Sequence, residues 1–134
     1  MATQLLTPIH FLAVAVGATS GAWLRWLLGL WLNRHADALP WGTLAANMLG
    51  GYLVGVVLAI VAAHPEWPPF WRLLMITGFM GGLTTFSTFS AETVAFLEEG
   101  HFAMAIGYAT VSLAGSLLLT VLGLMTAHAM RGWP

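Results

Sequence analysis

Gly78-Phe79-Met80-Gly81-Gly82-Leu83-Thr84-Thr85-Phe86-Ser87-Thr88-Phe89-Ser90-Ala91-Glu92 is the run whose reading decides the fold. It lies within a stretch, 70–97, that is long and apolar enough to cross a bilayer, yet it is crowded with glycine and hydroxyl residues. A glycine pair followed by two β-branched threonines is poor helix material. At mid-span, Gly81-Gly82 with Thr84-Thr85 predicts a break or kink near the bilayer midplane. Broken spans are tolerated only where they are buried in protein or line a cavity, and there their freed carbonyls coordinate cations. The competing reading is a close helix crossing at the glycines.

Working outward, three more stretches have the roughly 20 mostly apolar residues that a spanning helix needs: 9–32, 41–63 and 102–128. The breaks between them are short. Segment 33–40 holds Arg34, His35, Asp37 and Pro40; 64–69 is Pro-rich with Glu66; 98–101 is a charged turn containing Gly100. Short loops predict antiparallel neighbours. The 134 residues read as one all-α integral membrane domain of four spans, the third broken. The first span does not read as a signal peptide, since it lacks a basic leader and its apolar run is too long.

Composition agrees. The chain is 59% hydrophobic and 7% charged, with a mean hydropathy of +0.84. Soluble domains carry about 25% charged residues, so a water-soluble globule is excluded, as is disorder, which needs low hydrophobicity and high charge. With no Cys there is no disulfide, thiol nucleophile or thiolate metal site. The four basic residues are Arg25, Arg34, Arg72 and Arg131, the net charge is -1, and no basic patch exists to hold a nucleic acid. Trp31, Trp41, Trp67, Trp71 and Trp133 cluster near span ends, as an interfacial aromatic belt requires.

Charge gives almost no orientation. With four spans, the N-terminus, second loop and C-terminus share one side, which carries Arg72 and Arg131; the other carries Arg34, and Arg25 if it is counted there. Two against two leaves no positive-inside bias. Either another feature sets the topology or the chain inserts both ways. Dual insertion leads to an antiparallel homodimer about a two-fold axis in the membrane plane.

Polar groups inside a bilayer are costly and mark function. Phe86 and Phe89 share one helix face at i and i+3, flanked by Ser87, Thr88 and Ser90. Their positive ring edges can face an anion without a fixed charge; the plainer reading is packing against lipid or a neighbouring helix. Asn47 is a lone amide in the second span, with two hydrogens to donate, or else an interhelical tie worth about 0.6–2 kcal/mol. Gly17 and Gly21, and Gly51 and Gly55, read as packing pairs. Tyr108, Ser112, Ser116 and Thr120 recur every fourth residue and form one stripe along the last span. That ladder of hydroxyls is an anion track, or a set of side chains bonded back to i−4 carbonyls. Arg25, at a mid-span cost of roughly 2.5–3.5 kcal/mol, is expected to snorkel to a vestibule or attract anions there. Glu92 would repel an anion beside it, so it is expected to be hydrogen-bonded or off the path.

Three runs in order, Gly17-Ala18-Thr19-Ser20-Gly21-Ala22-Trp23-Leu24-Arg25-Trp26, Gly42-Thr43-Leu44-Ala45-Ala46-Asn47-Met48-Leu49-Gly50-Gly51 and Gly81-Gly82-Leu83-Thr84-Thr85-Phe86-Ser87-Thr88-Phe89, resemble the CrcB/Fluc family of small fluoride channels over essentially the whole chain. The last run is the most specific. The first departs mildly, with Trp26 where the family often has Tyr. The resemblance implies antiparallel dual-topology homodimers with two fluoride pores. It also implies that Asn47 points a donor into the pore, that Phe86 and Phe89 line it, and that Tyr108, Ser112 and Ser116 form a polar track. Main-chain carbonyls of Gly81 and Thr84 from both subunits would hold a central Na⁺, and Arg25 would stand near a vestibule.

The function expected is therefore passive export of fluoride across the cell membrane, not an enzymatic reaction. Fluoride is small and strongly hydrated, so its path must replace water by protein donors, binding tightly enough to admit the ion and weakly enough to release it. The main rival is a small dual-topology multidrug/proton exchanger. Such an exchanger needs a carboxylate deep in its first span, where this chain has Arg25 and no Asp or Glu. A membrane enzyme finds no HExxH, GxSxG or phosphate-loop motif.

Overall fold

The computed structural model describes residues 6–33, 39–130 and 132. Arg34, His35 and Asp37 of the first loop, and Arg131 and Trp133 of the C-terminus, which enter the charge count and the aromatic belt, lie outside the described residues. Among those described there are helices and turns and no strand. Four helical stretches are long and apolar enough to cross a membrane: α1 (Pro8–Leu32), α2 (Trp41–Ala63), a composite third span (Pro69–Glu98) and α6 (Phe102–Met130). The third is the least apolar and the second the most.

The helix ends follow local chemistry. Pro8 opens α1, a first-turn position that needs no N–H. Pro40 precedes α2 and has no capping side chain, so Asn33, just past the end of α1, reaches across the loop and accepts from the Gly42 N–H at 2.9 Å. Gly100 turns the chain into α6 at φ +77°, a left-handed conformation that favours glycine.

The third span is built of four pieces: α3 (Pro69–Arg72), a π-helical segment (Leu73–Met80), α4 (Gly81–Leu83) and α5 (Phe86–Glu98). The break falls within the run read from the sequence, on its threonine half rather than its glycine half. Gly81 and Gly82 are helical, and the extended residues are Thr84 (φ -82°, ψ 153°) and Thr85 (φ -149°, ψ 117°). Gly82 is used instead for close approach, because a Cβ there would strike the Ala18 carbonyl of α1. The alternative reading, a glycine crossing, therefore holds for Gly82, and the unwinding falls on the two β-branched residues behind it.

Consecutive spans are neighbours, as the short loops predict, but they are not the tightest pairs. The closest pairs are α2 with α6 and α1 with the first half of the third span. Glycines explain both. A Cβ on Gly17 would meet the Leu74 carbonyl and the Phe79 amide, and one on Gly21 the Phe79 carbonyl and the Leu83 amide. On the other pair, Gly51 abuts the Ser116 backbone and Gly55 the Thr120 carbonyl, while Gly123 abuts the Tyr52 carbonyl. Contacts advance in the same direction along both members, so each pair runs parallel. Without a hydrophobic drive between helices in lipid, such backbone-to-backbone approach supplies the packing. Trp31, Trp41, Trp67 and Trp71 are exposed near span ends, where the belt was expected.

Candidate functional site

Unwinding at Thr84-Thr85 leaves backbone groups without their helical partners, and each has an identifiable fate. The Thr85 N–H would have bonded the Gly81 carbonyl; it donates instead to Asn47 Oδ1 at 2.8 Å. Asn47 Nδ2 donates to the Thr85 carbonyl at 3.2 Å. The Gly82 carbonyl accepts from Arg25 Nε at 3.1 Å. The Thr88 N–H, the helical partner of the Thr84 carbonyl, donates to Thr85 Oγ1 at 3.2 Å, which caps α5. The amides that would have covered the Gly81 and Thr84 carbonyls are thus both diverted, and among the described residues neither oxygen accepts from a side chain or a loop amide. Thr84 Oγ1 bonds back to the Met80 carbonyl at 2.8 Å.

Beside this break runs a groove of about 470 Å³. Asn47, Gly81, Thr84, Thr85, Phe86, Phe89, Ser112 and Ser116 line it, with aliphatic residues of α2 and the π segment completing the wall. Among the described residues no charged one lines it. Phe86 and Phe89 stand with ring centroids 5.6 Å apart, and Phe89 continues to Tyr108 at 5.4 Å. Phe86 is 79% exposed, the most exposed aromatic ring of the described chain. Ser112 is buried in the groove wall, and its Oγ has the Tyr108 hydroxyl as a polar neighbour but forms no close hydrogen bond among the described residues. A buried hydroxyl without a close partner is an available donor.

The remaining candidates fall beside the groove rather than on it. Ser87 and Thr88 gather round the Thr85 hydroxyl at 3.2 and 3.0 Å, at the N-terminus of α5. That helix end favours negative charge by its dipole. Tyr108 is turned away: its hydroxyl donates to Glu92 Oε2 at 2.7 Å, while Thr43 Oγ1 donates to Glu92 Oε1 at 2.7 Å. Glu92 is hydrogen-bonded through both oxygens, as expected from the sequence. Thr120 follows the plainer reading of the stripe, bonding back to the Ser116 carbonyl at 2.9 Å and across to Gly51 at 3.0 Å. The stripe therefore divides: Ser112 and Ser116 face the groove, Tyr108 serves Glu92, and Thr120 ties α6 to α2. The link from Arg25 to Gly82 and that from Thr43 to Glu92 were not read from the sequence; both join residues distant in the chain, and no spacing signals them.

The pattern that describes the CrcB-like proteins (Camphor Resistance, CrcB) matches residues 12–124, which takes in every groove residue. The chain belongs to the CrcB family. Its relatives in this family match over nearly their full length. A protein of Bordetella avium named fluoride-specific ion channel FluC is 65% identical over 94% of this chain and 98% of its own. One of Bordetella petrii with the same name is 64% identical over 96% and 99%. One of Dechloromonas aromatica, also so named, is 56% identical over 98% of both. As a CrcB-family protein with four membrane-crossing helices, this chain is a multi-pass protein of the cell membrane.

Proposed function

We infer that the chain is a passive fluoride-selective channel that lets fluoride leave the cell. One observation carries this reading: the groove that contains the family's most specific run is lined by uncharged donors and aromatic edges, in a chain whose relatives at 56–65% identity are named as fluoride channels. Asn47 retains one amide hydrogen beyond the one given to Thr85, Ser112 retains its hydroxyl, and the rings of Phe86 and Phe89 present polarised edges. Together they replace water around a small anion without a fixed charge that would trap it. The multidrug exchanger loses ground because the groove holds no carboxylate.

The conducting unit is an antiparallel homodimer. The exposure of Phe86 beside a groove open on one side supports it, since a lone subunit would present these polar groups to lipid. A Na⁺ shared between the two subunits fits the Gly81 and Thr84 carbonyls, whose own helical amides are engaged elsewhere. A monovalent ion suits this all-carbonyl set, which has no carboxylate to balance a higher charge. The ion is a structural one, so flux needs no Na⁺ gradient.

The test is fluoride efflux from liposomes that contain only this protein, with chloride as control. Fluoride release without chloride release is expected; no release, or equal release of both, refutes the reading. Dimer and ion are tested apart from it. A C-terminal tag in native membranes is expected to be labelled from both sides, and labelling from one side alone overturns dual insertion. Anomalous scattering from a substituted monovalent ion is expected between the Gly81 and Thr84 carbonyls.

A further inference from the structure

At the opposite edge of the molecule from the helix break's partners, the start of α1, the end of α2 and the start of the third span enclose a second cleft of about 860 Å³. It is larger than the groove, and none of the groove residues lines it. Its walls are of two kinds. Val61, Ala62 and Leu73, with three prolines, form an apolar floor that continues into the spans. His10, His64, Trp67 and Arg72 supply the polar part of the lining. Among the described residues no carboxylate lines the cleft. The neighbouring Glu66 is turned to His64, with Oε1 2.9 Å from Nδ1.

The polar lining is held in place. His64 stacks on Trp67 with ring centroids 4.8 Å apart and planes 7° from parallel, and Trp67 meets Trp71 at 6.5 Å. These rings lie at the end of one span and the start of the next, the level at which tryptophans anchor a protein to the headgroup region. Arg72 is exposed, and its guanidinium forms no hydrogen bond or ion pair among the described residues. A guanidinium left without an acceptor, at headgroup depth, above an apolar floor, is complementary to one kind of molecule: a phosphate with acyl chains beneath it. Arginine suits that role because its planar fork matches phosphate oxygens.

We propose that this cleft seats the phosphate of an anionic glycerophospholipid headgroup, with Arg72 as its charged contact and the acyl chains running along Val61, Ala62 and Leu73. The observation is independent of fluoride conduction. It requires only that the protein lie in a bilayer.

Native mass spectrometry of the detergent-solubilised protein titrated with phosphatidylglycerol or phosphatidylcholine tests it. The wild-type protein is expected to retain phosphatidylglycerol better than phosphatidylcholine. Arg72→Gln is expected to weaken that retention about fivefold, the effect of one basic residue at an anionic membrane surface. Arg72→Lys should keep most of the preference. Ala62→Trp keeps Arg72 but fills the floor, and should also lose the lipid. Equal retention of the two lipids, or unchanged retention in Arg72→Gln, overturns the proposal. Displacement of the lipid by inorganic phosphate at matched concentration overturns it as well, because the site would then hold a free anion without need of acyl chains.

Discussion

Asn47 and Thr85 exchange two hydrogen bonds, the Thr85 amide giving to Asn47 Oδ1 at 2.8 Å and Asn47 Nδ2 giving to the Thr85 carbonyl at 3.2 Å. A single side-chain amide thus takes the place of a neighbouring strand for the one residue that most needs it. Replacing Asn47 by Ala strips both bonds at once. An unsatisfied buried polar group costs about 1–3 kcal/mol, so Asn47→Ala should lower the unfolding midpoint in detergent and reduce fluoride efflux together. Retention of both would remove Asn47 from the break.

The ring edge of Phe89 can be separated from its bulk. Phe89→Ile keeps an apolar side chain between Phe86 and Tyr108 and removes only the polarised edge. Fluoride efflux should fall at least about tenfold, roughly 1.4 kcal/mol in the rate-limiting barrier, while the size-exclusion profile stays that of wild type. Unchanged efflux in assembled protein would return the pair to simple packing.

Glu92 accepts from two hydroxyl donors, and leaving a partner of such a buried bond unsatisfied costs about 1–3 kcal/mol. Tyr108→Phe removes one while leaving the ring contacts with Phe89 and Phe96 intact. The variant should be less stable by an amount in that range, and Glu92→Gln combined with it should show less than additive loss in a double-mutant cycle. Full additivity would mean that Tyr108 and Glu92 do not act as a pair.

Glycines divide by what surrounds them. Gly55→Ala places a methyl against the Thr120 carbonyl, a backbone atom that cannot swing aside, so α2 and α6 must part. Its thermal stability should drop clearly. Gly107→Ala meets nothing within 4 Å in the subunit and gains helix propensity, about 0.8–1.0 kcal/mol for Gly to Ala. It should be neutral or stabilising in a monomeric unfolding measurement. A reversed order of the two variants would contradict the packing described.

The spans were legible because apolar length is an additive property: the helices begin and end within two residues of the ranges read at 9–32, 41–63, 70–97 and 102–128. The break was legible as lying within Gly81-Thr85, but not which half of that run unwinds, because propensity cannot tell a glycine that unwinds from one that lets another helix in. Gly82 does the second, and only the presence of Ala18 opposite it decides the matter. The π segment over Leu73–Met80 carries no distinct sequence signal, since its apolar residues suit an α-helix equally well. Of the candidate residues, Asn47, Phe86, Phe89, Ser112 and Ser116 come together on the groove. Arg25 was read as a free charge near a vestibule, and its bond to the Gly82 carbonyl depends on the crossing of α1 with the third span, which spacing alone does not reveal.

The order of residues along the chain has a consequence for how this protein is made. The third span is the least apolar of the four and so the weakest signal for release from the translocon into lipid. Yet its tertiary partners at the break precede it: Arg25 for the Gly82 carbonyl, Asn47 for Thr85, and the Gly17 and Gly21 face against which its first half lies. They are translated before Thr84 and so emerge from the ribosome ahead of it. Synthesis from the N-terminus therefore brings the least apolar span out last among these partners, so that its unwound residues can be received by side chains that emerged before them.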